Sequence, residues 1–361
     1  MNQWTNEPIQ ENKPMTNATY RAGIIGLGFI GGADQVSGDA LGQQVSGLDG
    51  THFDALSRHP RVDIVAGSSR DAGRRERFAQ RAGTPTYASW EEMLAQEAFD
   101  IVSIATYAPV HAEITVACAK RGVRAIYCEK PIATQLPDAE QMLEACAEAG
   151  ALLVLNHQRR FNRNHRRLRD LIAADGLGDL TSAALQWGSG RLGNVGTHMI
   201  DALLMLTGRK IEAISATLDL AGKPDCRGPD FRDPGGWGVI KLEGGIMVTV
   251  DAGDYAAVPG QIILNGTEGR AISDGSSVAL EYWDGRQEQW ASASDGVSGM
   301  DRAVSEIVEW LDGGTKFPYP ASEAVDTLEA IVGFHASHAR NAAWTEIPLS
   351  GLDREREVLS G

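Results

Sequence analysis

Short apolar runs alternate with amphipathic segments through the first third of the chain. The runs YRAGIIGLG, VDIVAGSSR, DIVSIAT and RAIYCEKP are rich in apolar and β-branched residues, as strands are. The segments between them, HFDALSRHP, AGRRERFAQRAG, SWEEMLAQE and HAEITVACAKRG, have helical character, and Thr51 stands where a helix N-cap is expected. This alternation predicts an α/β fold with a doubly wound parallel sheet of the Rossmann type.

The pattern changes beyond Pro131. One more helix, PDAEQMLEACAEAG, leads to the strand LLVLNH, and after that strands follow one another with little helix between them. The runs TSAALQWG, IEAISATLDL, GWGVIKLEGG, GIMVTVDAG, GQIILNGTEG, RAISDG and SVALEYW predict a mostly antiparallel, open sheet. Helical segments then close the chain, which indicates a C-terminal α/β domain.

A chain of 361 residues exceeds what one hydrophobic core usually serves, so two domains are expected. We expect a flexible N-terminal tail over residues 1–19 and a Rossmann dinucleotide-binding domain over 20–132. A substrate and oligomerisation domain should cover 133–318. The C-terminal helix and tail, 319–361, should pack back on the Rossmann domain.

The composition excludes several classes of partner. A net charge of −15 and a pI near 5.0 disfavour nucleic acid and anionic membrane surfaces. No apolar run approaches the roughly 20 residues that span a bilayer, and the polar start lacks a signal pattern, so a cytoplasmic protein is expected. The four cysteines show no C-x-x-C spacing and are expected to be reduced and buried, with no metal site. They are Cys118, Cys128, Cys146 and Cys226.

A glycine motif follows the first strand. Gly26, Gly28 and Gly31 have the spacing G-x-G-x-x-G of a dinucleotide-binding turn, with Phe29 and Ile30 inside it as further expected cofactor contacts. The polar segment between Gly32 and Thr51 enlarges the loop that follows. It either overhangs the reaction site or forms a mobile surface loop.

The end of the second strand indicates which dinucleotide is bound. An acid at this corner would accept both ribose hydroxyls of NAD, but the chain has Ser69 and Arg70 there. A small hydroxyl beside a cation suits a 2′-phosphate, so NADP is favoured and NAD stays open, with Asp71 as the nearest acid. Thr106, at the end of the third apolar run, and Glu129 and Lys130, at the end of the fourth, are further expected cofactor contacts.

Several motifs together resemble one family. The start GIIGLGFIG, the strand end YCEKPIA, the segment GTHMIDALLMLTG and the tail YPASEAVDTLEAIVGFHASHARNAAWTEIPLSG are similar to the Gfo/Idh/MocA oxidoreductases. The resemblance spans nearly the whole chain. It implies NAD(P)-linked oxidation or reduction of sugars and polyols, and a homo-oligomer, dimer or tetramer, assembled through the open sheet.

The resemblance and side-chain chemistry together select the catalytic candidates. Lys130 follows a parallel strand, where its ammonium could stabilise a developing alkoxide, and His198 can accept a hydroxyl proton near neutral pH. Asp201 lies one turn further on and either orients the His198 ring or caps the helix. Members similar to inositol dehydrogenase commonly have aspartate four residues before the histidine, whereas this chain has Asn194, which positions a hydroxyl but supplies no charge.

Substrate contacts are expected at Lys130, Asn194, His198, Arg160 and Trp187. Arg160 belongs to the basic run RRFNRNHRRLR, which is either a solvated or intersubunit face or holds an anionic substrate group. Trp187 offers a ring on which a sugar could stack. The loop GSGRLGNVGT is short, so we expect an open cleft that admits a substituted sugar, unless the segment 32–50 or the loop GKPDCRGPDFRDPGGWG covers it.

Three functions fit these features. The first is an NAD(P)-dependent oxidoreductase acting on a secondary hydroxyl or ketone of a sugar, glycoside or cyclitol. The second is an NAD-dependent glycosidase that oxidises its sugar transiently, and the third is a non-catalytic sugar or nucleotide sensor. Retention of both Lys130 and His198 argues against the sensor.

Overall fold

A six-stranded parallel sheet forms the first domain in the computed structural model, which describes residues 18–35, 50–221, 230–254, 260–292, 295–314 and 316–359. The strand order is 3-2-1-4-5-6, that of a doubly wound dinucleotide-binding fold. The strands are β1 Tyr20–Ile25, β2 Val62–Ser68, β3 Thr86–Tyr87, β4 Ile101–Ile104, β5 Ala125–Cys128 and β6 Leu152–Leu155. The helices are α1 Phe29–Gly32, α2 His52–Arg58, α3 Ala72–Ala82, α4 Trp90–Gln96, α5 His111–Lys120 and α6 Leu136–Ala149. The predicted alternation and the Thr51 cap of α2 are confirmed.

The first domain is longer than the sequence predicts. β6 pairs in parallel with β5, so α6 and β6 complete the first sheet, and the expected boundary at residue 132 falls too early. α1 is also a single turn, which ends at Ala33 in the left-handed region with φ +53°, and residues 36–49 lie outside the described residues. The expected tail is described only from residue 18 onward.

The second domain is built on a nine-stranded sheet with the order β14-β13-β12-β11-β7-β10-β9-β8-β15. Among its described strands only the β7–β10 pair is parallel, so the mostly antiparallel sheet is confirmed. The strands are β7 Leu180–Gln186, β8 Ile211–Asp219, β9 Gly235–Leu242, β10 Ile246–Ala252, β11 Gln261–Gly266, β12 Gly269–Ser273, β13 Val278–Tyr282, β14 Gln287–Trp290 and β15 Thr345–Glu346. The helices are α7 Arg163–Ala173, α8 Thr197–Thr207, α9 Gly299–Leu311, α10 Ser322–Ala339 and α11 Gly351–Arg354.

Helices α9 and α10 contact the two domains to different extents. α9 packs on α2, and Asp312 just after it accepts hydrogen bonds from Arg61 and from the Tyr20 hydroxyl, each at 2.6 Å. α10 lies mainly on β8 of the second sheet and also contacts α6. The expected packing of 319–361 on the Rossmann domain is therefore only part of the arrangement, because β15 extends the second sheet.

Within the described part of the chain, no helix has the length and apolar character needed to cross a membrane. Cys118, Cys128 and Cys146 are buried and unbonded, and Cys226 lies outside the described residues. The same described ranges contain no group of three or more His, Cys, Asp or Glu side chains arranged to hold a metal ion.

Candidate active site

The glycine turn after β1 is shaped by close backbone contacts. Gly26 has a φ of +96°, and a Cβ there would lie 2.5 Å from the carbonyl oxygen of Ala105, beyond the end of β4. A Cβ on Gly31 would lie 1.9 Å from the carbonyl oxygen of Gly26. By contrast, a Cβ on Gly28 would contact only the guanidinium of Arg74, at 3.6 Å. The first and third glycines are therefore required by packing, and the second leaves room for a ligand.

The turn lies where the strand order reverses, between β1 and β4. Open parallel sheets bind ligands at this point, beyond the carboxyl ends of the strands. Thr106 follows β4, and its Oγ1 is buried without a hydrogen-bond partner among the described residues. Phe29 and Ile30 form the first turn of α1 and are half-buried. The turn and Thr106 together outline a site for a polar ligand.

Cationic side chains border the end of β2. Arg70 is exposed, and its Nη2 lies 3.4 Å from the Tyr107 hydroxyl. Asp71, the nearest acid, is the N-cap of α3, where its Oδ1 accepts a hydrogen bond from the Arg74 amide at 2.7 Å. Ser69 Oγ accepts a hydrogen bond from the Asp71 amide at 3.3 Å. Arg70 and Arg74 therefore border the end of β2, while the Asp71 carboxylate caps α3.

Lys130 bridges the two domains at the end of β5. Its Nζ donates to the carbonyl oxygen of Asn194 at 3.1 Å and to the side-chain oxygen of Asn194 at 2.9 Å. The peptide bond between Lys130 and Pro131 is cis. Two acceptors on one residue of the second domain thus orient the ammonium.

Glu129 does not face the cleft, which corrects its expected role as a cofactor contact. Its carboxylate is buried and accepts hydrogen bonds from His52 Nε2 at 2.9 Å and Asn156 Nδ2 at 2.5 Å. Burial alone would raise the pKa of Glu129, but the hydrogen bonds and the positive charge of Lys130 outweigh it and lower the pKa to about 2. Glu129 is therefore an ionised anchor beneath Lys130.

Asn194 and His198 come from one continuous segment of the second domain. Asn194 lies in a π-helical turn, Leu192–Gly196, and His198 lies in the first turn of α8. His198 is half-buried, and its Nδ1 has no hydrogen-bond partner among the described residues. Burial holds the pKa of His198 well below its usual range, and the charges of Lys130 and Arg159 lower it further. The imidazole is therefore neutral and able to accept a proton.

Asp201 does not orient His198, as the sequence had suggested it could. Its carboxylate is fully buried and binds His157 Nδ1 at 3.1 Å and Arg160, with Nη2 at 2.7 Å. The His157 ring then contacts the His198 ring edge to face, with centroids 5.9 Å apart. Asp201 thus acts on His198 only through the position of His157.

The expected roles of Arg160 and Trp187 as substrate contacts are also wrong, because neither side chain is accessible to a substrate. The Arg160 guanidinium is buried between Asp201 and Glu323 and stacks over Tyr319. Trp187 is 2 % exposed, and its Nε1 donates to the carbonyl oxygen of Gly190 at 2.6 Å. Its ring supports the π-helical turn, so it cannot stack on a sugar.

A segment of the second domain, residues 230–234, crosses the cleft that the short loop was expected to leave open. Asp233 accepts hydrogen bonds from the amides of Gly193 at 2.6 Å and Asn194 at 2.9 Å. Phe231 reaches the first domain and packs edge to face on Tyr107, with centroids 6.0 Å apart. The neighbouring residues 222–229, and residues 36–49 of the other proposed cover, lie outside the described residues.

Two regions of the chain match models of one protein family. Residues 20–157 match a model described as an oxidoreductase family with an NAD-binding Rossmann fold. Residues 181–272 match the GFO/IDH/MocA C-terminal domain. The chain belongs to the Gfo/Idh/MocA oxidoreductase family. The resemblance inferred from the glycine turn, the E-K-P motif and the His198 segment is confirmed.

Individual members of the Gfo/Idh/MocA family are distant relatives. Inositol 2-dehydrogenase 3 of Saccharopolyspora erythraea is 31% identical over 161 residues, which cover 44% of this chain and 42% of that protein. The chain spans about half the length of the curated relatives that it matches.

Solved structures share the fold over nearly the full chain. The WlbA dehydrogenase of Bordetella pertussis, solved with NADH and UDP-GlcNAcA, has a TM-score of 0.73 at 19% identity, covering 93% of this chain and 100% of that one. An inositol dehydrogenase homolog of Azotobacter vinelandii, solved with NADH and myo-inositol, has a TM-score of 0.74 at 17% identity, covering 91% and 98%.

Some residues of this Gfo/Idh/MocA site were missed in the sequence. Arg74 could have been found, because it stands in the first turn of the helix that follows the corner at Arg70. His157 and Asp233 had no local signal, since their roles depend on partners that only the fold brings near, and Arg159 was noted only as the first residue of the basic run. His52 was also missed, because the segment 36–49 separates it from the glycine turn.

Proposed function

We propose that this chain is an NADP-dependent oxidoreductase that transfers a hydride between the cofactor and a secondary hydroxyl or ketone of a sugar or cyclitol. The observation that carries the proposal is the convergence of Lys130 and His198 beyond the carboxyl end of the parallel sheet. The Lys130 ammonium is held by Asn194, which lies four residues before His198 in the same segment, and its charge lowers the pKa of the imidazole. An oriented cation and a neutral base are the groups that alcohol oxidation requires.

The residues around the glycine turn fit a nicotinamide dinucleotide. The open side of Gly28 leaves space for the pyrophosphate, and Thr106 Oγ1 is a buried group in need of a partner. A bound nicotinamide would supply or take up the hydride. The family model, the inositol dehydrogenase relative and the two structures solved with NADH support this assignment.

The residues at the end of β2 favour NADP over NAD. Arg70 is exposed, and the guanidinium of Arg74 lies over the glycine turn, so both can reach a 2′-phosphate. Asp71 is committed to the helix cap and is poorly placed to accept the ribose hydroxyls of NAD. NADP therefore remains the favoured cofactor.

Lys130 and His198 divide the chemistry at the reacting carbon. During oxidation, His198 accepts the hydroxyl proton at a ring nitrogen, while Lys130 donates a hydrogen bond to the oxygen as negative charge develops. During reduction the same groups act in reverse, with His198 returning the proton. Asn194 keeps the ammonium aimed through its two acceptor oxygens.

The test is cofactor absorbance with a panel of sugars, sugar acids, glycosides and inositols, using NAD⁺ and NADP⁺ in parallel. Lys130→Met and His198→Ala should each lower turnover at least about 100-fold. Lys120→Met, at an exposed lysine in the last turn of α5, is the matched control and should not. Near-normal turnover in either site variant, or release of an aglycone without net redox change, would contradict the proposal.

The cofactor preference is measured separately by binding. Arg70→Ala should weaken NADPH about 10- to 100-fold and NADH little, since it removes a charge-assisted phosphate contact. Equal losses for both cofactors would count against NADP.

A further inference from the structure

Arg159 is a cation without a hydrogen-bond or ion-pair partner in the described part of the chain. It lies in a 3₁₀ turn, Gln158–Phe161, directly after β6, and its side chain is half-buried. Its Nε is buried, and its guanidinium has no hydrogen bond or ion pair among the described residues. Burying a charged group without a partner is unfavourable. Such a group is therefore expected where a ligand supplies the missing charge.

Other arginines of the same basic run do have partners. Arg160 pairs with Asp201 and Glu323, Arg163 with Asp295 at 2.9 Å, and Arg166 with Glu306 at 2.6 Å. The Asp201 charge opposes the desolvation that lowers the pKa of Arg159, but its oxygens are bound by Arg160 and His157. No carboxylate among the described residues is left within ion-pair distance of Arg159.

The position of Arg159 places this charge next to the catalytic pair. It is two residues from His157, whose ring contacts the His198 ring. The positive charge of Arg159 lowers the pKa of His198. On the other side, Nη2 lies 3.5 Å from the point where a Cβ on Gly275 would stand, between β12 and β13. The guanidinium therefore lies between the His157–His198 pair and the turn that joins β12 to β13 of the second domain.

We propose that the substrate is a sugar acid and that Arg159 binds its carboxylate. This inference rests on the proposed function and names its substrate class. A guanidinium presents two parallel N–H donors that match a carboxylate, and a single arginine neutralises one negative charge. A sugar phosphate, which carries more charge, would call for further cations. The anionic substrate group that the basic run suggested for Arg160 is thus assigned to Arg159.

The experiment compares acids with their neutral counterparts. With NADP⁺ saturating, kcat/KM is measured for D-glucuronate against D-glucose, D-galacturonate against D-galactose and D-gluconate against D-glucitol, with glucose 6-phosphate as a further arm. Wild-type enzyme should prefer the acid. Arg159→Gln should lower kcat/KM for the acid about 10- to 100-fold and change the neutral compound little, since it removes a charge-assisted pair. Arg163→Gln, on the same run but at the surface, is the matched control.

The possible failures are distinguishable. A wild-type preference for the neutral or phosphorylated sugars, or equal losses on acid and neutral compounds in Arg159→Gln, would overturn the inference and leave the oxidoreductase assignment intact. Absence of turnover on every compound, with no NADPH binding, would overturn the assignment itself. If Arg159→Gln fails to fold by melting temperature, Arg159→Lys retains the charge without the fork. It should show a smaller loss, confined to the acids.

Discussion

Lys130 and Asn194 meet from different domains, and the amide sets the charge of the site. Asn194 positions the ammonium through two oxygens without adding a negative charge. With Lys130 and Arg159 both cationic, the site as described favours a neutral His198 and an anionic ligand. We therefore expect this one side-chain atom, an amide nitrogen in place of a carboxylate oxygen, to influence both the acid–base chemistry and the choice of substrate.

Exchange of Asn194 for aspartate should shift the pH dependence of turnover upward. The new carboxylate would stand within hydrogen-bond distance of Lys130 and oppose the positive charge that lowers the pKa of His198. Because His198 must be neutral to accept a proton, a higher pKa moves the acid limb of kcat/KM to higher pH. Profiles of wild type, Asn194→Asp and the uncharged control Asn194→Ser measure this shift. An acid limb that stays in place or moves down would contradict it.

The role of a single residue could be predicted where a short sequence motif indicates it. The glycine spacing and the E-K-P motif predicted a site where the structure has the tight glycine turn and the contact of Lys130 with Asn194. The distinction between Arg159 and Arg160 was not predictable, because it depends on Asp201, which is distant in sequence and pairs with only one of them. Trp187 was misjudged for a similar reason, since its burial depends on the turn that folds over it.

The π-helical turn Leu192–Gly196 is the element that brings Asn194 to Lys130. A Cβ on Gly196 would lie 2.9 Å from Cζ2 of Trp187, so glycine allows the turn to settle on the indole. Asp233 holds the other side through the amides of Gly193 and Asn194. The sequence predicted a loop here, because this turn is stabilised by contacts distant in sequence and lacks a helical pattern of its own.

Removal of the Asp233 carboxylate should lower kcat while leaving cofactor binding nearly unchanged. In Asp233→Ala two amides lose their acceptor and Asn194 is held less firmly, which should cost about 10-fold in kcat. Asp233→Asn keeps one oxygen acceptor and should recover part of the loss. Asp230→Ala, at an exposed position of the same segment, serves as the control. A change confined to the KM for NADP, or no recovery in Asp233→Asn, would argue against this positioning role.

At the scale of the whole molecule, the pattern of strands along the chain predicted a parallel sheet followed by a mostly antiparallel sheet. The domain boundary was misplaced, because β6 is as apolar as the strands on either side of it and its membership depends on pairing with β5. The second sheet has one face on the core and one open face. Strand register places a mostly apolar row across six adjacent strands of the open face, from β9 to β13: Val239, Thr249, Ala184, Ile263, Ile272 and Ala279.

This open face should be the contact between subunits of a homo-oligomer. Trp237 and Met247, each 39% exposed, extend the apolar row, and exposed apolar patches of this kind usually mark interfaces. Ile263→Arg should therefore reduce the sedimentation coefficient at micromolar protein with little change in melting temperature. Gln287→Arg, on the edge strand β14, provides the comparison. A wild-type chain that sediments as a monomer would refute the prediction.

Arg159 and Arg160, the two adjacent arginines after β6, differ in how well the fold tolerates their substitution. Arg160 joins Asp201 and Glu323 in the interior, so most exchanges there would remove a partner that the fold needs. Arg159 has no ion pair among the described residues, so its replacement should alter chiefly ligand binding. If the substrate is an acid as proposed, a substitution at this one position, beside a residue that the fold constrains, would be enough to turn a preference for an acidic substrate into one for a neutral substrate.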